Sequence, residues 1–229
     1  MSTQIDKMFE AGAHYGYSKS RRHPSTSAYI FSTKNGIDII NLEKIVAPFE
    51  TAMAEITRLA ASGKTILFVG TKAEARQQIT ETALLLGMPY VSERWVGGAL
   101  TNFPEIKKRI TKLLDLRKQK EEGGLDKYTK KERLLIDREM DDMTKNFQGI
   151  VGMNRAPDAI FVIDPKKEHI AVTEAHKMGI PVIGILNTDS NTKQVEFPIV
   201  ANDASVASIG FFLAQVKDAY TSGLTGEKK

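Results

Sequence analysis

Two kinds of apolar pattern alternate along the chain. Short continuous runs occur at Thr65-Ile66-Leu67-Phe68-Val69, Ala159-Ile160-Phe161-Val162-Ile163 and Pro181-Val182-Ile183-Gly184-Ile185-Leu186. A run without polar alternation is how a strand buried on both faces reads, so these predict central strands of a parallel sheet. Pro89-Tyr90-Val91 and Phe197-Pro198-Ile199-Val200 predict two shorter strands, and Pro198 favours an edge position. Between them the apolar residues step by three and four. Ile79, Ala83 and Leu86 mark a helix from Ala73 to Leu86, stopped by Gly87. Glu168 to Met178 predicts another, stopped by Gly179. Val206, Ile209, Leu213, Val216 and Tyr220 mark a last one, capped by Asp203 or Ser205. Gly223 to Lys229 reads as a frayed tail. This alternation predicts an α/β fold: a three-layer α/β/α sandwich with a parallel five-stranded sheet and right-handed crossovers. A strand order of 2-1-3-4-5 follows by analogy with the flavodoxin-like class.

The N-terminal third differs. Gln4 to Ala11 predicts a short helix with Ile5, Met8 and Phe9 on one side. Gly12 to Thr26 reads as a loop, rich in His, Tyr, Arg and Lys, with little to bury. Apolar runs at Tyr29 to Phe31 and Ile37 to Ile40 flank Asn35-Gly36, a hairpin signal. A helix capped by Asn41 follows through Leu42, Ile45, Phe49, Met53, Ile56 and Leu59, with a kink or restart expected at Pro48.

A second departure begins at Arg94-Trp95-Val96-Gly97-Gly98-Ala99-Leu100-Thr101-Asn102-Phe103, which holds the chain's one Trp. Phe103, Ile106, Ile110 and Leu113, then Ile136, Met140, Met143 and Phe147, form two narrow helical stripes separated by Gly123-Gly124. Narrow stripes must pair, so residues 104–148 predict an inserted α-helical coiled-coil hairpin, each arm on the order of 25 Å long. Residues 1–103 and 149–229 then form the α/β domain. The Arg94–Phe103 stretch reads either as a plain strand-to-helix turn around a packed Trp, or as a stiff elbow that aims the hairpin and lays Arg94 and backbone N–H groups against a partner. Thr101 or Asn102 would cap the first hairpin helix.

Composition narrows the classes. The 229 residues are 41% hydrophobic and 26% charged, enough for a core. With no Cys there is no disulfide, thiolate metal site or cysteine nucleophile, which suits a reducing, cytoplasmic location. No apolar run approaches the ~20 residues of a membrane span, and Met1 to Glu10 lacks a signal-peptide core. Net charge is +4, a mild lean toward polyanions. The positive charge is clustered: Lys19, Arg21 and Arg22 with His23; Lys107, Lys108 and Arg109; Lys127, Lys130, Lys131 and Arg133; Lys166 and Lys167. One such run is usually a solvated face, but four point toward nucleic acid.

Catalytic signatures are missing. There is no phosphate-binding glycine motif, no nucleophile elbow and no paired metal histidines. His14, His23, His169 and His176 are scattered. Thr71, Lys72, Asp164 and Asp189 fall at predicted carboxyl ends of strands, where α/β folds bind ligands. They fit either turn and cap roles or, as the alternative function, a nucleotide or phosphosugar site. A hairpin tip at Gly123-Gly124 that docks protein is a third reading.

Several blocks resemble a known family. Met8-Phe9-Glu10-Ala11-Gly12-Ala13-His14-Tyr15-Gly16, Leu67-Phe68-Val69-Gly70-Thr71-Lys72, the Arg94–Phe103 stretch, Ala156 to Asp164 and Ile180 to Ile185 are similar, in order, to blocks of the S-two family of bacterial small-subunit ribosomal proteins. The resemblance implies a non-enzymatic, ribosome-bound protein that binds small-subunit ribosomal RNA between head and body. It also implies neighbouring ribosomal proteins, among them ribosomal protein S-one, as partners, with no membrane and no cofactor. The expected RNA contacts are Lys19, Arg21, Arg22, Arg94, Lys107, Lys108, Lys130 and Lys131, with Trp95 bracing the elbow and Asn102 its turn. The chain departs from the family where Tyr17 replaces a usual His, where Ala207 replaces a usual Arg, and around Arg22-His23-Pro24. A divalent-metal site described for some members would use that His with acids matching Asp189 and Asp203. With Tyr17 there, no metal site is expected.

Overall fold

A computed structural model describes residues 3–125 and 127–226. A five-stranded sheet is its centre. Its strands are β4 (Ile66–Val69), β5 (Tyr90–Val91), β6 (Ala159–Ile163), β7 (Val182–Leu186) and β8 (Phe197–Val200), all parallel, in the order β5-β4-β6-β7-β8. Every residue of β4, β6 and β7 is buried, so both faces of the sheet must be covered. Helices α2 (Leu42–Ala61), α3 (Ala73–Leu86) and α7 (Val206–Thr225) pack on one another over one face. Helix α6 (His169–Met178) follows β6, packs on β7, and binds the Arg94–Phe103 stretch through Glu174. Phe68 and Phe161 meet on adjacent strands at 5.5 Å, and Phe49 of α2 meets Phe212 of α7 edge-on at 5.6 Å. Pro198 lies on β8, at the sheet's edge, where its missing N–H costs no ladder bond.

The first helix, α1 (Gln4–Glu10), is closed by a capping box between Thr3 and Asp6. Strands β1 (Tyr15–Ser18), β2 (Ile30–Lys34) and β3 (Ile37–Ile40) form a second, antiparallel sheet in the order β1-β3-β2. The β2–β3 turn puts Asn35 at φ 51° and Gly36 at φ 76°, the left-handed pair that an Asn-Gly hairpin needs. The expected Gly12–Thr26 loop is therefore corrected: it contains β1 and two short 3₁₀ segments, Lys19–Arg21 and Pro24–Tyr29. Its order comes from distant partners. Tyr17 N donates to Thr188 Oγ1 at 3.0 Å, and His23 N and Thr26 Oγ1 each donate to Thr188 O at 2.8 Å. A Cβ on Gly16 would stand 2.7 Å from Thr188 Cγ2 and 2.9 Å from Asp38 O, so this crossing requires glycine.

Helix α2 runs through Pro48 without a restart. The tail expectation also changes: Gly223 is buried inside α7, and residues 227–229 lie outside the described part. Helices α4 (Phe103–Glu121) and α5 (Lys130–Phe147) fold back on each other. Ile106, Ile110 and Leu113 of α4 and Met140 and Phe147 of α5 are buried, while Leu114, Leu134 and Leu135 stay exposed. Lys112–Glu139, Lys120–Asp137 and Arg117–Thr144 bridge the two.

Candidate nucleic-acid interface

Helix α4 leaves the body through a turn built on one carboxylate. Glu174 sits on α6, on the inward face shared with Ala171 and Ala175. Its Oε1 accepts from Gly98 N at 2.7 Å and Trp95 Nε1 at 3.2 Å. Its Oε2 accepts from Leu100 N at 3.0 Å and from Thr101 N and Oγ1, both at 3.1 Å. Gly98, at φ 89°, supplies the left-handed bend that turns these N–H groups inward. Burial pushes the Glu174 carboxyl up, but the N–H donors of Gly98, Leu100 and Thr101 and the Trp95 indole outweigh it and hold it below the ordinary carboxylate range. Trp95 is 7% exposed and braces the turn. Asn102 stands at the cap position of α4, but its side chain makes no capping bond, and the Thr101 hydroxyl is given to Glu174.

The expected cations fall into three places. Arg94 is exposed beside the turn, and Lys107 and Lys108 are exposed on the first turns of α4. Lys130 and Lys131 begin α5 at the far end of the helical pair, roughly 20 Å from Lys107 at 1.5 Å per residue. Lys108 pairs with Glu105 at 2.6 Å, both well exposed. The side chains of Arg94, Lys107, Lys130 and Lys131 form no ion pair among the described residues.

Lys19, Arg21 and Arg22 lie apart from these, at the small sheet. Lys19 is exposed. Arg21 stacks over the Tyr17 ring at 4.3 Å and pairs with Asp189 at 2.9 Å. Arg22 grips both oxygens of Asp38, whose side chain is fully buried, and donates to Thr33 Oγ1 at 2.9 Å. The hydrogen bond from Arg22, against the cost of burial, holds the Asp38 carboxyl below its ordinary range. Arg22 is therefore part of the fold. Arg22→Ala is expected to cost about 2 kcal/mol, the penalty of stranding a buried acid beside a partly wet partner. Urea unfolding checks this, and an unchanged midpoint would refute it.

The strand ends form a closed cluster. Lys72 Nζ lies 3.0 Å from Tyr17 Oη, 3.1 Å from Asp164 Oδ2 and 3.1 Å from Asp203 Oδ2. Burial pulls the Lys72 ammonium down, but Asp203, Tyr17 and Asp164 outweigh it and keep it charged. Burial and the neighbouring Asp164 push Asp203 up to about 6 against the pull of Lys72. Asp189 accepts from Lys166 at 3.0 Å as well as from Arg21, and Thr71 gives its N–H and hydroxyl to Glu168. The charges of the expected ligand site are thus directed at one another, which leaves little to hold a phosphate. No helix among the described residues is long and apolar enough to cross a membrane.

The family model described as "Ribosomal protein S2" matches residues 8–223. The curated protein "Small ribosomal subunit protein uS2" of Parabacteroides distasonis is 43% identical over 224 residues, which cover 98% of this chain and 81% of that one.

The chain belongs to the ribosomal protein S2 family.

Membership carries a structural role in the small ribosomal subunit, and hence in translation. Within that frame, Glu174, Asp38 and Asp203, and Tyr17 in its contact with Lys72, hold the fold together in roles that the sequence reading did not give them. Glu174 has a trace in sequence, as an acid on the apolar face of a helix between Ala171 and Ala175. A buried acid in such a place needs several donors, and the Gly97-Gly98 turn is where free N–H groups were to be sought.

Proposed function

We propose that the chain binds small-subunit ribosomal RNA between head and body, with α4 and α5 acting as a coiled-coil hairpin of residues 104–148. Residues 1–103 and 149–229 act as a flavodoxin-like body. Arg94, Lys107, Lys130 and Lys131 carry the reading: exposed cations without an acidic partner on a braced projection are suited to phosphate. Lys108 and Lys19 add weaker contacts, and Trp95 and Asn102 act by holding the elbow. Arg21 and Arg22 serve the small sheet first. The chain transforms no substrate in this reading. It is ribosome-bound in the cytoplasm and contributes to docking ribosomal protein S-one.

The test replaces Arg94, Lys107, Lys130 and Lys131 together by Glu. For every phosphate that is no longer neutralised, the slope of log affinity against log salt should become shallower by about 0.9 for duplex and 0.7 for single-stranded RNA. The variant should keep its melting temperature but leave small subunits during a moderate-salt wash. Retention equal to the parent chain would remove these residues from the interface.

A further inference from the structure

The joint between the two sheets holds a cation of its own. Lys72 caps α3 at the end of β4, and its side chain is 13% exposed. Its three oxygen neighbours come from separate segments. Tyr17 belongs to β1 of the small sheet, Asp164 follows β6, and Asp203 follows β8. Asn187, after β7, donates to Asp203 Oδ1 at 3.0 Å. Asp164 is a non-glycine residue in the left-handed region, at φ 61°, a conformation that persists where surrounding contacts fix it. One ammonium therefore gathers the carboxyl ends of β4, β6 and β8 and ties them to the small sheet.

The residues present do not suit a divalent ion. Tyr17 offers a phenol hydroxyl, already bonded to Lys72, where an imidazole would coordinate. Asp189 already faces two cations, since its Oδ2 accepts from both Arg21 and Lys166, while its Oδ1 is buried without a hydrogen-bond partner among the described residues. Among the described residues no three His, Cys, Asp or Glu side chains converge as metal ligands. The acids Asp164, Asp189 and Asp203 already face the cations Lys72, Lys166 and Arg21, so a doubly charged ion would have to enter a balanced cluster and displace Lys72.

We propose that Lys72 is the resident cation of this joint, and that the chain closes its small sheet onto its large sheet through this ammonium, with no divalent metal. This role of Lys72 is independent of whether the helical pair touches RNA. Two variants of the full chain test it. Lys72→Met keeps most of the side-chain volume and removes the charge. Tyr17→Phe removes one oxygen and leaves the ion pairs. The parent chain should melt at the same temperature in EDTA and in millimolar Mg²⁺ or Zn²⁺, and elemental analysis should find no stoichiometric divalent metal. Lys72→Met should melt lower by about 4–8 °C, and Tyr17→Phe by less. Stoichiometric metal in the parent chain, a fall in its melting temperature with EDTA, or a Lys72→Met melt equal to the parent would each overturn the proposal. The parent-chain measurements decide the metal question even if Lys72→Met does not fold.

Discussion

Glu174→Ala is expected to lower the unfolding free energy by about 3–5 kcal/mol, because one side chain satisfies five donors. Alanine leaves the N–H groups of Gly98, Leu100 and Thr101 and the Trp95 indole facing a small cavity. Each orphaned buried donor costs about 1–3 kcal/mol, reduced where water enters the space. Glu174→Gln keeps the volume, but its NH₂ group faces N–H donors on one side, so about half the loss is expected there. Urea titration and the emission wavelength of Trp95 check both variants. A loss below about 1 kcal/mol for Glu174→Ala would mean that the turn is held by something else.

The same carboxylate gives an acid dependence. Its folded pKa lies below the unfolded value of about 4.3, so its contribution is complete above that value. It is lost as pH falls through the lower folded value. Glu174→Gln should therefore flatten this part of the acid limb of the stability curve. A parallel curve would assign acid unfolding to other carboxylates, Asp38 first among them.

This turn also connects fold to function. Arg94 and Lys107 flank it, and their placement depends on the angle at which α4 leaves the body. On the proposed RNA-binding reading, a cation on an elbow that wobbled would lose ordering entropy on binding, so a braced turn would favour the bound geometry beforehand.

The large sheet was legible because its signal is local. β4, β6 and β7 are uninterrupted apolar runs, and Asn35-Gly36 names its own turn. β1 was not legible. Its residues are polar and aromatic, and its order comes from β3 and from Thr188, 171 residues beyond Tyr17. The surroundings of the candidate cations were illegible for the same reason. A set of cations along a chain says nothing about where acids stand, and Arg22 reads as an unpaired cation until Asp38, 16 residues away, closes on it. Lys72 and Asp164 are 92 residues apart. Conversely, Arg94, Lys107, Lys130 and Lys131 remained open because no described acid pairs with them. Ion pairing across long separations is a property of the folded chain, and no period in the sequence encodes it.

Gly149→Ala should be the second large effect, at about 3 kcal/mol or more of lost stability. Gly149 lies just past α5, where the helical pair returns to the body beside β5. A Cβ there would stand 2.1 Å from the carbonyl oxygen of Tyr90 and 2.7 Å from its ring. The oxygen is backbone and belongs to a sheet strand, so relief requires moving either β5 or the root of the helical pair. Gly152, in the same segment, is the control, since a Cβ there meets nothing within 4 Å. Its φ lies outside the left-handed region, and Gly152→Ala should be neutral or stabilising by up to about 1 kcal/mol through the unfolded chain. Equal stability of the two variants in urea would show that the return of α5 to the body tolerates displacement. The turn at Glu174 would then be the firmer attachment of the helical pair, and the cations of α4 and α5 would be held mainly at that end.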